Sequence, residues 1–498
     1  MAVTTAPLLG LGTLGRLPEQ SRPLLRPGSV PAGIVHLGLG AFHRAHQAVY
    51  TEEAVAAAGG DWGIVGVSPR SGAVVADLLA QDRLFSVTSL SGAGPRTRVI
   101  GALAGVRHAA ADPGAVLALL ADPAIRVVTL TVTEKAHRLD PVTGELAVDT
   151  ELLADLAAAG PPVTIPGLLV RGLLARYRAD AGPLAVVSCD NFASNGRRLH
   201  GMVEQSRVLV PGATGGFGDW LRDSVTFPGT MVDRIVPAST PATLAVAQAA
   251  LGARDLAGVH GEPYRQWVIE DRFPGGRPAW EKAGAVLADD AGPWERLKLR
   301  SLNGVHSALA YLGAVAGRET IAAALEIPGM RPVLERFVAE DVAGSFEPPP
   351  GVSVVGYGAS VLERFANPAI AHRTRQVAMD GTQKLPQRVL HTIMDRRAAG
   401  ASPRWAALVV AAWMRFVQGS DDDGRPLPLD DPLAGEIRER LAAAPSTPRG
   451  VVDALFGLDA VFPAGLAADE TVRALVLDWL TALDRHGVEA TLSGEAAP

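Results

Sequence analysis

Residues 32 to 54, AGIVHLGLGAFHRAHQAVYTEEA, decide the fold. The run GIVHLGLG is almost wholly apolar and closes on Gly38 and Gly40, which reads as a buried strand ending in a tight turn. AHQAVYTEEAVAAAG, directly after it, reads as a helix. Strand, glycine turn and helix in that order make a nucleotide cradle: the glycines let the backbone approach a pyrophosphate, and the helix start offers free N–H groups and a partial positive charge. The third glycine of the usual fingerprint is missing. Phe42 and Arg44 occupy the turn instead, with Arg44 placed to meet a phosphate. A plain tight turn explains the same glycine pair, so the rest of the chain has to separate the two readings.

Working outward, DWGIVGVSPRSG (61–72), IRVVTLTVTEK (125–135) and GPLAVVSCDNFASNG (182–196) predict further strands, with helical stretches such as PGAVLALLADP between them. Strands alternating with helices predict a parallel sheet whose ligands lie beyond the carboxyl ends of the strands. Those ends carry Glu134 and Lys135, then Asp190 and Asn191. Each suits a ligand contact, and a loop asparagine that caps a helix is the structural alternative.

From about residue 285 the strand signals fade and Ala- and Leu-rich helical periodicity takes over. The expected fold is therefore α/β, with a Rossmann-type parallel-sheet domain over 1–284 and a mostly helical domain over 285–498. LKLRSLNGVHSALAYLG, 297 to 313, opens the helical half, after Asp290 as a cap and Pro293 near the first turn. On a wheel of about 100° per residue with Lys298 at zero, Glu295, His306 and Asn303 fall near 60°, 80° and 140°. Leu299, Leu302 and Leu309 fall at about 100°, 40° and 20° on the same wheel, so the polar groups sit inside the apolar stripe. Arg296 and Arg300, near 160° and 200°, lie at its margin and back, where a solvated charge belongs. A snorkelling lysine and a satisfied core histidine would account for each residue alone; four polar groups on one apolar arc set a functional site beside that structural reading, and the helix alone does not separate the two.

Composition narrows the function classes. The chain has 498 residues, 48% hydrophobic and 20% charged, enough for two domains of a globular protein. WAALVVAAWM (405–414) is about half the length a bilayer span needs and reads as a buried helix. The first twenty residues lack the basic start of a secretion signal, so a cytoplasmic location and no membrane partner are expected. One cysteine, Cys189, excludes a disulfide framework and a cysteine-based zinc site. A net charge of −6 without a long basic run argues against nucleic acid. FEPPPG (346–351) is loop-like.

Taken together, GLGAFHRAHQAVYT, TVTEK, SCDNFASNG, FPGTMVDRIVP, QWVIED, the spacing K-x4-N-x2-H and DGTQKLPQR resemble the long-chain mannitol dehydrogenase and fructuronate reductase family, nearly end to end. The resemblance implies metal-free hydride transfer between NAD(H) and a sugar ketone or its alcohol. By it, Lys298 is the general acid in reduction and the general base in oxidation, a role that a desolvated lysine fills better than an exposed one. Asn191 and Asn303 are donors to the developing oxyanion, and His306 holds substrate or orients the lysine. Glu295 either passes protons or pairs with Lys298 or Arg296. Asp233 and Lys384 match positions that contact sugar hydroxyls, or serve as salt-bridge partners.

Two departures from the mannitol branch bear on substrate. Gln376 stands eight residues before Lys384 where that branch has arginine, and Lys135 stands where it has glycine. A lysine there suits a substrate carboxylate, so reduction of D-fructuronate to D-mannonate is expected ahead of fructose to mannitol. Mannitol, arabinitol or another polyol is the alternative. A catalytically inactive NAD- or sugar-binding protein explains less, and an epimerase would need a Tyr-x-x-x-Lys pair that is not found. VSPRSG, ending the second predicted strand, lacks the acid that usually selects NAD. Arg70 and Ser71 stand there instead, so NAD is expected with NADP still open. The expected partner is a small sugar acid or polyol, and the expected state a monomer or small homo-oligomer.

Overall fold

The computed structural model describes residues 6–140, 143–157, 160–370 and 372–494. The chain divides into two compact units, Met1–Gly292 and Pro293–Pro498. The first is built on six strands: β1 Ala32–Leu37, β2 Gly63–Ser68, β3 Leu103–His108, β4 Val127–Leu130, β5 Leu184–Ser188 and β6 Val225–Thr226. All pairings between them are parallel, in the spatial order β3-β2-β1-β4-β5-β6. The order reverses between β1 and β4, and a doubly wound sheet binds its ligand in the crevice at that point.

Side chains of β1 alternate between two cores. Ile34 packs with Ala48, Val49 and Trp267 on one face, while Val35 and Leu37 pack with Leu168 and Leu173 of the helix Ile165–Arg178 on the other. A strand covered on both faces reads as a continuous apolar run, which is why this stretch was legible. The strand β3 was not, nor were two three-stranded sheets, one of Phe85–Ser89, Arg96–Ile100 and Val259–Gly261, the other of Thr230–Asp233, Gln266–Glu270 and Val286–Ala288.

The helix expected from Ala45 is interrupted. His46 leaves helical geometry (φ −126, ψ −85) and divides Ala41–Ala45 from Gln47–Ala58. Its ring stacks on Phe42 at 4.9 Å and shares a 2.9 Å hydrogen bond with the carbonyl of Gln266, a tertiary contact that helps hold the break open and that no local pattern contains.

Helices carry the second unit. The apolar run at 405–414 lies in Arg404–Val417, where every residue from Trp405 to Val417 is buried, as a core helix requires. Among the described residues no helix is long and apolar enough to cross a membrane.

The stretch at 297–313 departs from the uniform α-helix on which the wheel was drawn. Gly292–Leu297 and Gly304–Val315 are α-helical, but Lys298–Asn303 between them is a π turn, in which the N–H of Gly304 reaches back five residues to Leu299 O. One extra residue per turn rotates everything after it. Arg300, expected at the solvated back, is accordingly buried, bonded to Ser345 O at 2.8 Å and paired with Asp395 at 2.6 Å. Arg296 is exposed as expected.

Burial in the first unit has a pH consequence. His43 stacks on His36 at 3.4 Å, and neither of its ring nitrogens has a hydrogen-bond partner. Burial, reinforced by His36, Arg44 and His46, holds its pKa well below 6.5. The folded state therefore keeps His43 neutral while the unfolded chain protonates it below pH 6.5, so stability is lost as pH falls, by at most about 1.4 kcal/mol per pH unit for this group. Glu52 acts oppositely: burial raises it to about 7, so its contribution is present at low pH and lost as pH rises through 7. Replacing His43 by Phe keeps a flat ring and removes the unpartnered nitrogens. The melting temperature of His43→Phe should exceed that of the wild type by a margin that widens between pH 7 and pH 5.

Candidate active site

The cradle in the first unit is built on Gly38. Its φ is +102, and a Cβ there would lie 2.1 Å from Thr131 O, so only glycine lets the end of β1 pass the end of β4. The N–H groups of Gly38 and Leu39 both reach Val67 O, at 2.9 and 3.2 Å, which ties the turn to β2. Beneath it lies His36, a residue that sequence reasoning passed over although it was the one polar side chain in the apolar run. Its Nδ1 meets Thr129 Oγ1 at 2.8 Å, and its Nε2 meets Thr131 Oγ1 at 2.9 Å and Gly38 O at 3.0 Å. Burial lowers its pKa to about 3, so it is neutral and bridges the two strands at the switch point.

Above this turn opens a cavity of about 900 Å³ lined by Gly38, Gly40, Arg44, Arg70, Asp77 and Thr131 among others. It has the size of a ligand site. Gly40 begins the short helix Ala41–Ala45. Arg44 borders the cavity, but its Nε and Nη1 donate to Ala257 O and Leu39 O at 3.2 and 2.9 Å. It braces the glycine turn. Phe42 is half-buried against His46 and does not line the cavity. Arg70 is exposed at the rim just past β2, its carbonyl accepting from His108 Nε2 at 2.9 Å. A dinucleotide fits this donor set: a backbone cradle that a side chain would fill, an arginine at the wall, and no carboxylate directly after β2.

At the carboxyl ends of β4 and β5 the structure separates two neighbours. Asp190 is buried, its carboxylate accepting from the N–H groups of Val132 and Thr133 at 2.8 and 3.0 Å and meeting His137 Nε2 at 2.8 Å. It fastens the two strand ends together, leaving the adjacent Asn191 exposed. Lys135 is exposed on the 3-10 turn Glu134–His137. Asp233 ends the strand Thr230–Asp233 and is buried. Asn195 holds that strand in place through both Thr230 backbone groups.

In the second unit Lys298 and Asn303 are the first and last residues of the π turn, both buried, with His306 one turn on at 9% exposure. Glu295 is half-buried on the preceding helix. The imidazole of His306 stacks on Phe365 at 4.6 Å, and its Nε2 has no hydrogen-bond partner. Burial first, then His372, Arg388, Lys384 and Arg364, keep His306 far below its ordinary pKa. Lys384 thus belongs to its surroundings. The helix bearing Lys384, Gly381–Leu385, is clamped at its start by Asp431, which accepts from Thr382 N and Oγ1 at 2.9 and 2.5 Å. Lys384 Nζ itself donates to Met379 O at 2.6 Å. Gln376 is exposed and lines a different space, a 280 Å³ cavity shared with Arg318, Arg373, Arg375 and Arg425 and with none of Lys298, Asn303, His306 or Lys384.

The chain thus joins a Rossmann-type unit with a glycine-turn cavity to a helical unit that carries a buried lysine. Residues 32–282 match the mannitol dehydrogenase Rossmann domain and residues 290–483 the mannitol dehydrogenase C-terminal domain, so the chain belongs to the mannitol dehydrogenase family of oxidoreductases. It is 40% identical to the uncharacterized oxidoreductase YdfI of Escherichia coli K12, over 92% of this chain and 94% of that one. It is 38% identical to the D-mannonate oxidoreductase of the same organism, over 89% and 92%. Among solved structures, the Pseudomonas fluorescens mannitol 2-dehydrogenase ternary complex with NAD and D-mannitol is 33% identical, with a TM-score of 0.84 over 98% of this chain and 99% of that one.

The two glycines make unequal demands. Gly38→Ala must displace the Thr131 carbonyl and should lose most dinucleotide affinity together with thermal stability, whereas a Cβ on Gly40 would lie 3.8 Å from its nearest neighbour and Gly40→Ala should melt as the wild type does. Thermal melts and NADH fluorescence titration of both variants check this contrast.

Proposed function

We propose that this enzyme reduces D-fructuronate to D-mannonate with NADH, and that Lys298 is the proton donor. The observation that carries the reading is a buried lysine heading a π turn that ends in a buried asparagine, in a chain of this family. When bound in the glycine cradle, the dinucleotide supplies the hydride. As hydride adds to the ketone carbon, negative charge grows on the oxygen, and Lys298 transfers a proton to it. Asn303, and Asn191 by the family resemblance, donate N–H bonds to that oxygen as its charge develops. His306 contacts substrate. Glu295 relays a proton toward Lys298, and Asp233 takes up sugar hydroxyls. The reverse direction uses the same groups, with neutral Lys298 as base. The same reading places the enzyme in the cytoplasm.

The uronate is preferred to a neutral ketose because a carboxylate left without a cation in a desolvated site is heavily penalised, and this chain has Lys135 and Lys384 to meet it. Of the two, the half-buried Lys384, fixed by a backbone carbonyl, is the stronger anchor, since an exposed ammonium gains little from pairing. The second reading is a polyol dehydrogenase acting on mannitol or a five-carbon polyol, favoured by the likeness to the mannitol-bound structure.

Three outcomes check the proposal. Lys298→Ala should lower turnover by about 10² to 10⁴ with NADH affinity unchanged, and near-normal turnover would remove it from the mechanism. In a panel of fructuronate, tagaturonate, fructose and xylulose followed by loss of NADH absorbance, fructuronate should have the highest kcat/KM; fructose ranking first would establish the second reading. NADH should be preferred to NADPH, and a preference for NADPH beyond tenfold would overturn the cofactor assignment and implicate Arg70.

A further inference from the structure

The second unit holds a second histidine that this mechanism leaves unused. His372 lies two residues before the helix Thr374–Ala378, and its carbonyl accepts from Ile321 N at 2.9 Å, which pins its backbone to the start of the helix Ile321–Leu325. Thr374, two residues on, is buried and donates its hydroxyl to Arg318 O at 2.7 Å. Between these anchors the ring of His372 stands edge-on to His306, with centroids 4.8 Å apart and planes at 61°. The side chain of His372 is half-buried, and its enclosed Nδ1 has no hydrogen-bond partner, as is also true of Nε2 of His306.

Two adjacent imidazoles with bare nitrogens are unusual in a packed region, because an unpaired buried polar atom costs free energy that an apolar side chain of the same shape would avoid. The charges around them give the arrangement a sense. Lys384 acts on both rings, and Arg388 and Arg364 act on His306. Asp380 lies 4.0 Å from Lys384 Nζ, at the outer limit of an ion pair, and Arg388 is turned to Ser307 Oγ at 3.1 Å. Burial and these cations keep both imidazoles neutral. Neutral imidazole N–H groups, with the positive charges of Lys384 and Arg388 acting on them, form a donor set that suits an anion such as a carboxylate.

We propose that His372 is a specificity-determining residue which, with Lys384 and alongside His306, binds the carboxylate of the substrate. This rests on the uronate reading above, and it assigns the recognition of the charge to the second unit in preference to the exposed Lys135. A neutral ketose has no group that needs this donor, so its binding is indifferent to His372.

The test is steady-state kinetics of wild type, His372→Leu and His372→Asn on fructuronate and on fructose, with melting temperature and NADH affinity measured for each. Removal of the donor should raise KM for fructuronate by about tenfold or more in His372→Leu, with KM for fructose changed less than about threefold and kcat for both largely kept. His372→Asn, which retains an N–H donor, should recover part of the loss. If the wild type prefers fructuronate while both variants keep its KM, or if KM rises equally for the two ketoses, His372 does not read the carboxylate. If the wild type does not turn over fructuronate, the uronate reading itself fails. If His372→Leu does not fold, the same comparison on His372→Asn decides, a fructuronate-selective rise in KM of several-fold supporting the assignment and an unchanged KM overturning it.

Discussion

A primary amine buried to 7% exposure inside a helix needs a reason to be there, and the chemistry assigned to this chain depends on it. In an unbroken α-helix the polar groups of residues 298 to 306 would spread around an arc. The π turn gathers them: with hydrogen bonds five residues apart, Lys298 and Asn303 become the two ends of a single widened turn. Such a turn is less favourable than α-helix and persists because its surroundings fix it. Arg300 is locked to Ser345 and Asp395, and the ring of Phe337 and the carbonyl of Arg388 come within about 3.1 Å of where a side chain on Gly304 would begin.

The first unit meets an analogous constraint with a different residue. There the demand is for backbone, and Gly38 answers it by letting β1 and β4 close on each other at the switch point, with His36 as a neutral strut below. A stack of two neutral imidazoles under the turn makes this half sensitive to acid, and the protonation of Glu52 makes it sensitive to base. The strut also explains a polar residue in an otherwise apolar strand: its three oxygen partners belong to three different positions, none of them adjacent in sequence.

How much was legible follows from which interactions are local. The strand, glycine turn and helix at 32–54 could be read because burial on both faces makes a parallel strand uniformly apolar, and the lysine helix could be read because polar groups in an apolar stripe stand out at any pitch. The pitch itself could not. A wheel drawn at α-helical spacing put Arg300 in solvent, and nothing in LKLRSLN shows that one residue per turn is added. The break at His46 and the strut at His36 depend on partners 220 and 95 residues away. In CDN the sequence offered two adjacent polar residues without distinguishing them, and only the pairing of Asp190 with backbone N–H groups across the sheet shows which one is structural.

The claim that the lysine of the π turn transfers the proton is tested most directly by chemical rescue. Lys298→Ala is assayed with saturating ketone and NADH in the presence of a series of small primary amines. Turnover should return in proportion to amine concentration, and across the series the rescued rate should depend on amine pKa, as it does when the added amine takes over a proton transfer. Failure of every amine small enough to enter the space left by the side chain, in a variant that still binds NADH and ketone normally, would contradict the account and leave Lys298 a structural residue.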